Sequence, residues 1–526
     1  MIWDFWFLCW EIPIYNRSAP NADYFASWNC DYYVRGKKLM ANGLSGINHF
    51  VLVMLENRSF DNLLGFLYAD QNNVSPAGYP FEGLKGNESN PDNSGKQISA
   101  FKIQKTANLS YFYPRADPGE GFANTNVQLF GTNPAPAGAH PTNQGFVKNF
   151  QTNMAMPKAH ALPGTQVSDI MGIYPPEMTP VLSGLARGYA VCDYWFSSAP
   201  TETFPNRAFA AMATSQGRLG DAPAPFTAQS IYDLLGKNGH TWKIYGYDKL
   251  PLTRASIADI TNAPNSNFGQ FKDFKSAASD GSLPNYVFLE PQWGHAGNSQ
   301  HPNYDVSKGE QFLHDVYYAL YGSKVWQSTL LIITYDEHGG AYDHVPPPNN
   351  AVTPDNSVGE QGFDFKRFGV RVPTVLVSPW VQAGTVYRAP GWEKGPGSTT
   401  PFDHTSILKT VEKRFRLGHL TARDAAAPDF GGVLSLNKAR TDDPLAGQSR
   451  PRANKQPAFK KAPSRLGLAA AQLVGHLPVT DETGDIRKDE MPPIRTSDDA
   501  WAFTYNRLRE FHKARDKYEK RHGKRG

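Results

Sequence analysis

The chain has 526 residues, 40% of them hydrophobic and 13% aromatic, enough to bury a large core in one elaborated domain or two. Lys and Arg number 53 against 49 Asp and Glu, a near balance that gives nucleic-acid recognition no support. Three cysteines, Cys9, Cys30 and Cys192, form an odd set without metal spacing, so neither a zinc ribbon nor a disulfide framework is implied, although a Cys9–Cys30 pair stays open.

In chain order, Met1–Trp10 is aromatic and apolar, yet it contains Asp4 and lacks a basic leader and a small-residue cleavage site, so it does not read as a signal peptide. No stretch approaches the roughly 18 apolar residues that a membrane span needs. His49–Leu55 is an apolar run of strand length that ends abruptly in Glu56 and Asn57, as a buried parallel strand does. In open α/β sheets ligands gather at the carboxyl ends of strands. These two oxygen donors are therefore either a solvated strand end or ligands for a hard divalent cation. The Gly-, Pro- and Asn-rich stretches Asp70–Ser99 and Thr132–Gly145 read as long loops. Tyr189–Phe196 reads as a further strand.

Thr203-Phe204-Pro205-Asn206-Arg207 then places a hydroxyl two residues before a proline able to open a helix. Thr203 either caps a helix over Asn206–Thr214 or sits as a nucleophile beside an anion drawn to the helix N-terminus. Strands are expected at Asn285–Leu289, Leu330–Tyr335 and Thr374–Val377. Leu330–Tyr335 ends in two adjacent carboxylates, Asp336 and Glu337, followed by Gly339 and Gly340, which allow a close turn. Paired carboxylates are costly to bury without a cation, and one metal shared with Glu56 and Asn57 accounts for both pairs. Helices are expected at Gly309–Tyr321 and Ser406–Arg416, each with apolar residues at helical spacing. The pattern as a whole predicts an α/β fold with a mostly parallel central sheet flanked by helices and long loop insertions. Beyond Lys438 the composition shifts. Arg507–Gly526 holds nine basic and three acidic residues, and Trp501, Tyr505, Leu508, Phe511 and Tyr518 mark an apolar stripe. Such a helix either packs on the body or approaches an anionic membrane.

The segments L-E-N-R-S-F-D (Leu55–Asp61), T-x-P-N-R (Thr203–Arg207) and T-Y-D-E-H-G-G-A-Y-D-H-V-P-P (Thr334–Pro347) resemble the phosphoesterase family of bacterial phospholipases C and acid phosphatases, a family with the alkaline-phosphatase-like fold. Met171-Gly172, Cys192–Phe196, Phe368–Pro373 and Asp403–Ser406 extend the likeness over Ile47 to Phe430, and Asp117-Pro118-Gly119 is similar to plant non-specific phospholipases C. The resemblance implies a catalytic domain at 47–437, after an atypical segment 1–46 and before a C-terminal extension 438–526. It implies that Glu56, Asn57, Asp336 and Glu337 ligate a divalent cation, Mg²⁺, Ca²⁺, Mn²⁺ or Zn²⁺, with Thr203 as the remaining ligand and nucleophile. His301 matches the most recognisable histidine of the family, and His404 is a second candidate. Glu120 stands where relatives usually carry histidine; with Asn206 it is the candidate for the phosphate-binding part of the site, where its carboxylate could bind metal or accept a proton. His240 and His344 have only their position to recommend them.

Phosphoryl transfer needs an activated nucleophile, compensation of the equatorial oxygens and protonation of the leaving oxygen. Thr203 supplies the first through a phosphothreonine intermediate, Asn206 and Arg207 lie one helical step away to meet the phosphate, and His301 supplies the proton. The same T-x-P-x-R resembles the C-x-P-x-R of sulfatases, but threonine cannot become their aldehyde. Three readings follow: a phospholipase C acting on phosphatidylcholine-like lipids, an acid phosphatase acting on small phosphomonoesters, and a silent protein held at membranes by the basic tail. The resemblance also implies export to the periplasm or the exterior.

Overall fold

The structure is a computed structural model that describes residues 43–455, 457, 462–480 and 491–523, together with the backbone of 486–487. Cys9, Cys30 and Met1–Trp10 lie outside the described residues. Apolar runs of strand length build a central sheet of eight strands: β1 (His49–Leu55), β2 (Ala190–Val191), β3 (Trp242–Gly246), β4 (Phe268–Gln270), β5 (Tyr286–Glu290), β6 (Thr329–Tyr335), β7 (Val375–Val377) and β8 (Thr385–Val386). Their order across the sheet is β8-β2-β7-β6-β1-β5-β3-β4. Neighbours pair in parallel except around β7, which runs antiparallel to both β6 and β2. The mostly parallel sheet expected from the sequence is therefore present, with Val375–Val377 as its exception. β1 and β6 lie at its centre, buried along almost their whole length, because helices cover both faces.

The helices used below are α1 (Pro180–Gly188), α2 (Thr203–Met212), α3 (Val306–Leu320), α4 (Thr405–Phe415), α5 (Arg465–Gly475) and α6 (Ser497–His522). In α3 the side chains of Phe312, Leu313, Val316, Tyr317 and Leu320 recur on one face and are buried. Glu310 on the same helix reaches the first turn of α1, where its carboxylate accepts the N–H groups of Val181 (2.6 Å) and Leu182 (3.3 Å). A negative group at a helix N-terminus is favourable, and it locks the two helices in register.

Two expectations differ from what is observed, and for the last helix the packed alternative is the one found. Tyr189–Phe196 is not one strand: Ala190–Val191 joins the sheet, whereas Trp195–Phe196 pairs with Phe402–Asp403. Between them Asp193 turns its carboxylate to Arg388 (2.6 Å) and to the N–H of Glu82 (2.8 Å), which breaks the ladder. The loop 70–99 contains a small hairpin, Ser89–Pro91 with Gln97–Ser99. The apolar stripe of α6 faces the body, with Trp501, Leu508 and Phe511 buried and only Tyr518 well exposed, so the helix offers a bilayer its basic face alone. Among the described residues no helix is long and apolar enough to cross a membrane.

Next to the sheet a buried ion cluster ties distant segments together. Arg371 is fully buried, and its guanidinium binds Asp343 and Asp61, each at 2.9 Å, and the carbonyls of Asp193 (2.8 Å) and Glu82 (3.0 Å). His344 donates to Asp61 at 2.7 Å and lies 3.3 Å from Glu82. Burial alone would lower the His344 pKa, but Asp61 and Glu82 outweigh it and lift it to about 10. His344 is thus a structural cation. Arg371→Met leaves Asp343 buried without its cation and Asp61 with His344 alone, and is expected to cost about 3–5 kcal/mol, read as a drop in the urea midpoint. A histidine with a raised folded pKa stabilises in full below its ordinary value of 6.5, and the contribution fades as pH rises through about 10. The stability gap between the native chain and His344→Gln should therefore be widest below pH 6.5 and close near pH 10, which denaturation at several pH values will check.

Candidate active site

The site begins where β1 and β6 end. Their register pairs Leu55 with Tyr335, so the next residues, Glu56 and Asp336, leave the sheet side by side. The Asp336 N–H donates to the Leu55 carbonyl at 3.2 Å, and the Asp336 Oδ1 accepts the N–H groups of Asn57 (2.9 Å) and Glu337 (2.8 Å). Asn57 holds a left-handed φ of 57°, a conformation that asparagine tolerates better than most residues. Gly339 (φ 60°) and Gly340 (φ 68°) then bring three loops together: a Cβ at Gly339 would stand 2.2 Å from the Asn57 carbonyl, and one at Gly340 2.6 Å from that of Gly119.

Helix α2 delivers Thr203. The helix starts at Thr203 itself rather than at Asn206, with Pro205 in its first turn. Thr203 is fully buried, and its hydroxyl donates to Asn57 Oδ1 at 3.4 Å, which aims it at the strand ends. The Phe204 N–H at the helix N-terminus is already taken by Asp221 Oδ1 at 2.7 Å. Asn206 departs from its expected role on phosphate. Its amide donates to the carbonyls of Ala199, Thr201 and Glu202 and accepts the Ala199 N–H, so it clamps the turn before the helix and has no donor left for a phosphate. Arg207 lies against the strand ends. Its Nε donates to Asp336 Oδ2 at 2.9 Å and its Nη2 to the carbonyls of Met54 (3.2 Å) and Leu55 (3.1 Å), while buried Nη1 has no hydrogen-bond partner. The Trp293 ring supports the guanidinium at 4.5 Å.

The electrostatics fit a cation. Glu56, Asp336 and Glu337 are buried within one small volume against a single guanidinium. Neither carboxylate oxygen of Glu56 and only one of Glu337 has a well-formed hydrogen bond, although the Ser299 side chain lies close enough to Glu56 to offset part of the penalty. Desolvation, then repulsion from Asp336, pushes Glu56 up to about 8 and Glu337 well above its ordinary range. Desolvation raises Asp336 as well, against the pull of Arg207. Buried carboxylates that ionise only with difficulty and keep unused oxygens are what a divalent cation compensates. These residues fit the ion that the strand-end motifs imply.

Beside them is a cavity of about 70 Å³ lined by Asp117, Glu120, Lys158, Glu202, His301 and Arg465. His301 Nε2 stands 3.9 Å from both Asp117 Oδ1 and Glu120 Oε2, and its Nδ1 faces the Pro302 carbonyl at 3.0 Å. Glu120 accepts from Asn57 Nδ2 at 2.5 Å; it bridges Asn57 and His301 instead of standing free for phosphate. Desolvation and then Asp117 push its carboxyl well up. Asp117, Glu120 and His301 offer ligand atoms within 4.8 Å of one another, closer than the strand-end quartet, whose Asp336 turns to Arg207.

His404 departs from the role of a proton donor. Its Nε2–H donates to the Asp336 carbonyl at 2.6 Å and its Nδ1 accepts the Trp195 indole N–H at 3.4 Å, so both nitrogens are used. Burial lowers it to about 4, which keeps it neutral, and it holds the Asp336 backbone from behind. His240 stacks on Phe415 at 4.4 Å, away from the strand ends.

Several residues at the site carry no sequence signal that singles them out. Arg58, fully buried, donates to the carbonyls of Gln300 (2.6 Å), Tyr113 (2.7 Å) and His301 (3.2 Å) and fixes the His301 loop. Asp117 and Arg58 stand inside the quoted motifs, yet nothing local separates them from the other residues there. Asp221, Glu202 and Trp293 sit in unremarkable sequence and are found only through the fold.

A family model described as the phosphoesterase family matches residues 47–418. Non-specific phospholipase C6 of Arabidopsis thaliana is 37% identical over 417 residues, 76% of this chain and 75% of that protein. Phospholipase C A of Mycobacterium tuberculosis is 28% identical over 438 residues, 75% of this chain and 78% of its own. Among solved structures, a protein in the alkaline phosphatase superfamily from Vibrio parahaemolyticus aligns over 48% of this chain and 64% of its own, at 13% identity and a TM-score of 0.28. The span of the family match and the identity to the plant enzyme agree with the strand-end carboxylates and the buried threonine: the chain belongs to the phosphoesterase family.

Proposed function

We propose that the chain is a phospholipase C that cleaves phosphatidylcholine-like lipids into diacylglycerol and a phosphorylated headgroup through a phosphothreonine. The observation that carries the reading is the meeting of Thr203, Asn57, Glu56, Asp336 and Glu337 at the paired ends of β1 and β6. Glu56, Asn57, Asp336, Glu337 and Thr203 would hold a divalent cation, which when bound supplies positive charge that lowers the threonine hydroxyl pKa and offsets charge on the phosphate.

Thr203 Oγ attacks phosphorus, and the bond from phosphorus to the diacylglycerol oxygen breaks. The departing oxygen takes a proton from His301, whose Nε2 opens on the cavity between Asp117 and Glu120. Water then attacks the phosphothreonine and returns a proton to His301. The bond from phosphorus to Thr203 Oγ breaks, Oγ takes back from solvent the proton that its hydroxyl released to solvent before the attack, and the phosphorylated headgroup departs. Asn57 orients the threonine hydroxyl, and Arg207 keeps Asp336 in place with the two N–H groups of Nη1 to spare. The cavity that His301 faces measures about 70 Å³, the scale of a phosphate group and far below that of acyl chains. The same size suits a small phosphomonoester, so an acid phosphatase is the second reading. Contact with a bilayer, through the basic face of α6, and export belong to the phospholipase reading.

Short-chain phosphatidylcholine given to the purified protein with a divalent cation should yield phosphocholine. Hydrolysis of an aryl phosphate without phosphocholine release would give first place to the phosphatase. Thr203→Ala is expected to lose on the order of 10³-fold or more in kcat, and acid quench of the native enzyme in turnover should leave a phosphoryl group on the Thr203 peptide by mass spectrometry. Glu56→Gln should reduce bound metal, measured by elemental analysis, together with a fall in kcat on the order of 100-fold or more. A chelator should bring the native chain to the activity of that variant without loss of helical circular dichroism.

A further inference from the structure

The far end of α4 meets the loop that follows it in a buried cluster outside the site described above. Glu412 lies in the last turn of α4, about 12 Å along the helix from His404. Its side chain is 1% exposed, and it stands at the negative pole of the helix dipole, where a carboxylate is disfavoured. His419 in the loop places Nδ1 2.7 Å from Glu412 Oε2. Asp424, fully buried in the short helix Ala422–Ala426, closes the group: one ligand atom from each of the three lies within 4.8 Å of the others.

Hydrogen-bond donors run short in this cluster. Asp424 Oδ1 accepts the N–H and the hydroxyl of Thr421 at 2.7 and 2.9 Å, and Oδ2 accepts the Leu420 N–H at 2.8 Å, which leaves a lone pair on Oδ2. Glu412 Oε1 is buried, and no donor among the described residues reaches it. The Glu412 and Asp424 carboxyl groups are nonetheless in hydrogen-bonding contact. Two carboxylates touch in a protein interior only across a shared proton or a cation. The basic side chains nearby are committed elsewhere: Lys409 to the Ala425 carbonyl (2.7 Å), Lys413 to Asp429 (2.8 Å) and Arg423 to Asp403 (3.0 Å).

We propose that Glu412, His419 and Asp424 form a site for a divalent transition-metal ion of the zinc type, separate from the strand ends. Two carboxylates and an imidazole are ligands that Zn²⁺ takes readily, whereas Mg²⁺ and Ca²⁺ favour oxygen alone. The ion takes the place of the proton between His419 Nδ1 and Glu412, which leaves for solvent, and gives the free Oε1 and Oδ2 lone pairs a partner. His419 is 44% exposed, so the ion has a way in from solvent and room for a water ligand. Its role is to fasten the end of α4 to the helix whose Arg423 holds Asp403. The inference does not depend on the phospholipase reading.

The test uses the full-length Glu56→Gln chain, in which the strand-end site is weakened, alone and combined with His419→Ala or with Glu412→Gln. Each protein is stripped with a chelator, dialysed against Zn²⁺ and analysed for bound zinc, and its melting temperature is recorded without and with the ion. Expected is about one Zn²⁺ per chain more in Glu56→Gln than in either double variant. Zinc should also raise the melting temperature of Glu56→Gln by several degrees, a response that both double variants lack. His419→Ala alone should keep the native kcat within about twofold, since the cluster touches no reacting atom. Equal zinc content in the single and double variants, or the same thermal response, overturns the inference and leaves a shared proton as the link between the two carboxylates. A native chain that hydrolyses neither phosphatidylcholine nor an aryl phosphate overturns the phospholipase reading and leaves the zinc result standing.

Discussion

Three carboxylates buried beside one guanidinium at the ends of two adjacent parallel strands set the terms for the rest of the molecule. Water cannot compensate them there, and Arg207 satisfies only Asp336. The fold meets the remaining demand with backbone N–H groups: Asn57 and Glu337 donate to Asp336, and Gly339 donates to Glu337 at 2.7 Å. Each of those donors needs a sharply turned backbone, which explains an asparagine with positive φ and two consecutive glycines in van der Waals contact with neighbouring loops. Oxygens left over after this arrangement, on Glu56 and Glu337, are the ones a cation would take.

The sequence motifs divide into two physical tasks that look alike on paper. In L-E-N-R-S-F-D, Glu56 and Asn57 face the site, whereas Arg58 and Asp61 are frame: Arg58 fastens the His301 loop, and Asp61 completes the Arg371 cluster. Asp343 and His344 do the same for the far end of the second motif. Both tasks put charged residues in the interior, where an unpaired charge is severely penalised, so neither tolerates loose substitution. A histidine next to an aspartate in sequence gives no hint which task it serves. His344 is a charged strut and His404 a neutral one, whereas His301 opens on a cavity with acidic neighbours beside the strand ends.

Strands β1 and β6 and helix α3 were legible nearly to the residue because their apolar periods are long and uninterrupted. The two polar pairs at the strand ends, Glu56-Asn57 and Asp336-Glu337, were visible as positions because polarity changes abruptly where those strands stop. The bent segment 189–196 was not, since its break is made by Asp193 meeting Arg388, far away in the chain. The start of α2 at Thr203 rather than Asn206 escaped for a related reason. The cap is stabilised by Asp221 and by the Asn206 amide folding back on the preceding carbonyls, neither of which follows a local capping rule. Asn206 illustrates the general point that a polar side chain next to a nucleophile is as often used up by the backbone as left for substrate.

The tail of α6 shows the same competition between local pattern and tertiary context. Its apolar stripe and basic face match a membrane-surface helix, yet Trp501, Leu508 and Phe511 find partners on the body, and Asn265 and Arg254 engage the middle of the helix through His512, Asp516 and Glu519. An apolar face satisfied within the fold gains little from lipid, so any attraction of α6 to a membrane rests on charge and weakens as salt rises. Trp501 stacks on Trp293, the ring under Arg207, so the apolar side of α6 is used up beside the strand ends and only its charge faces outward.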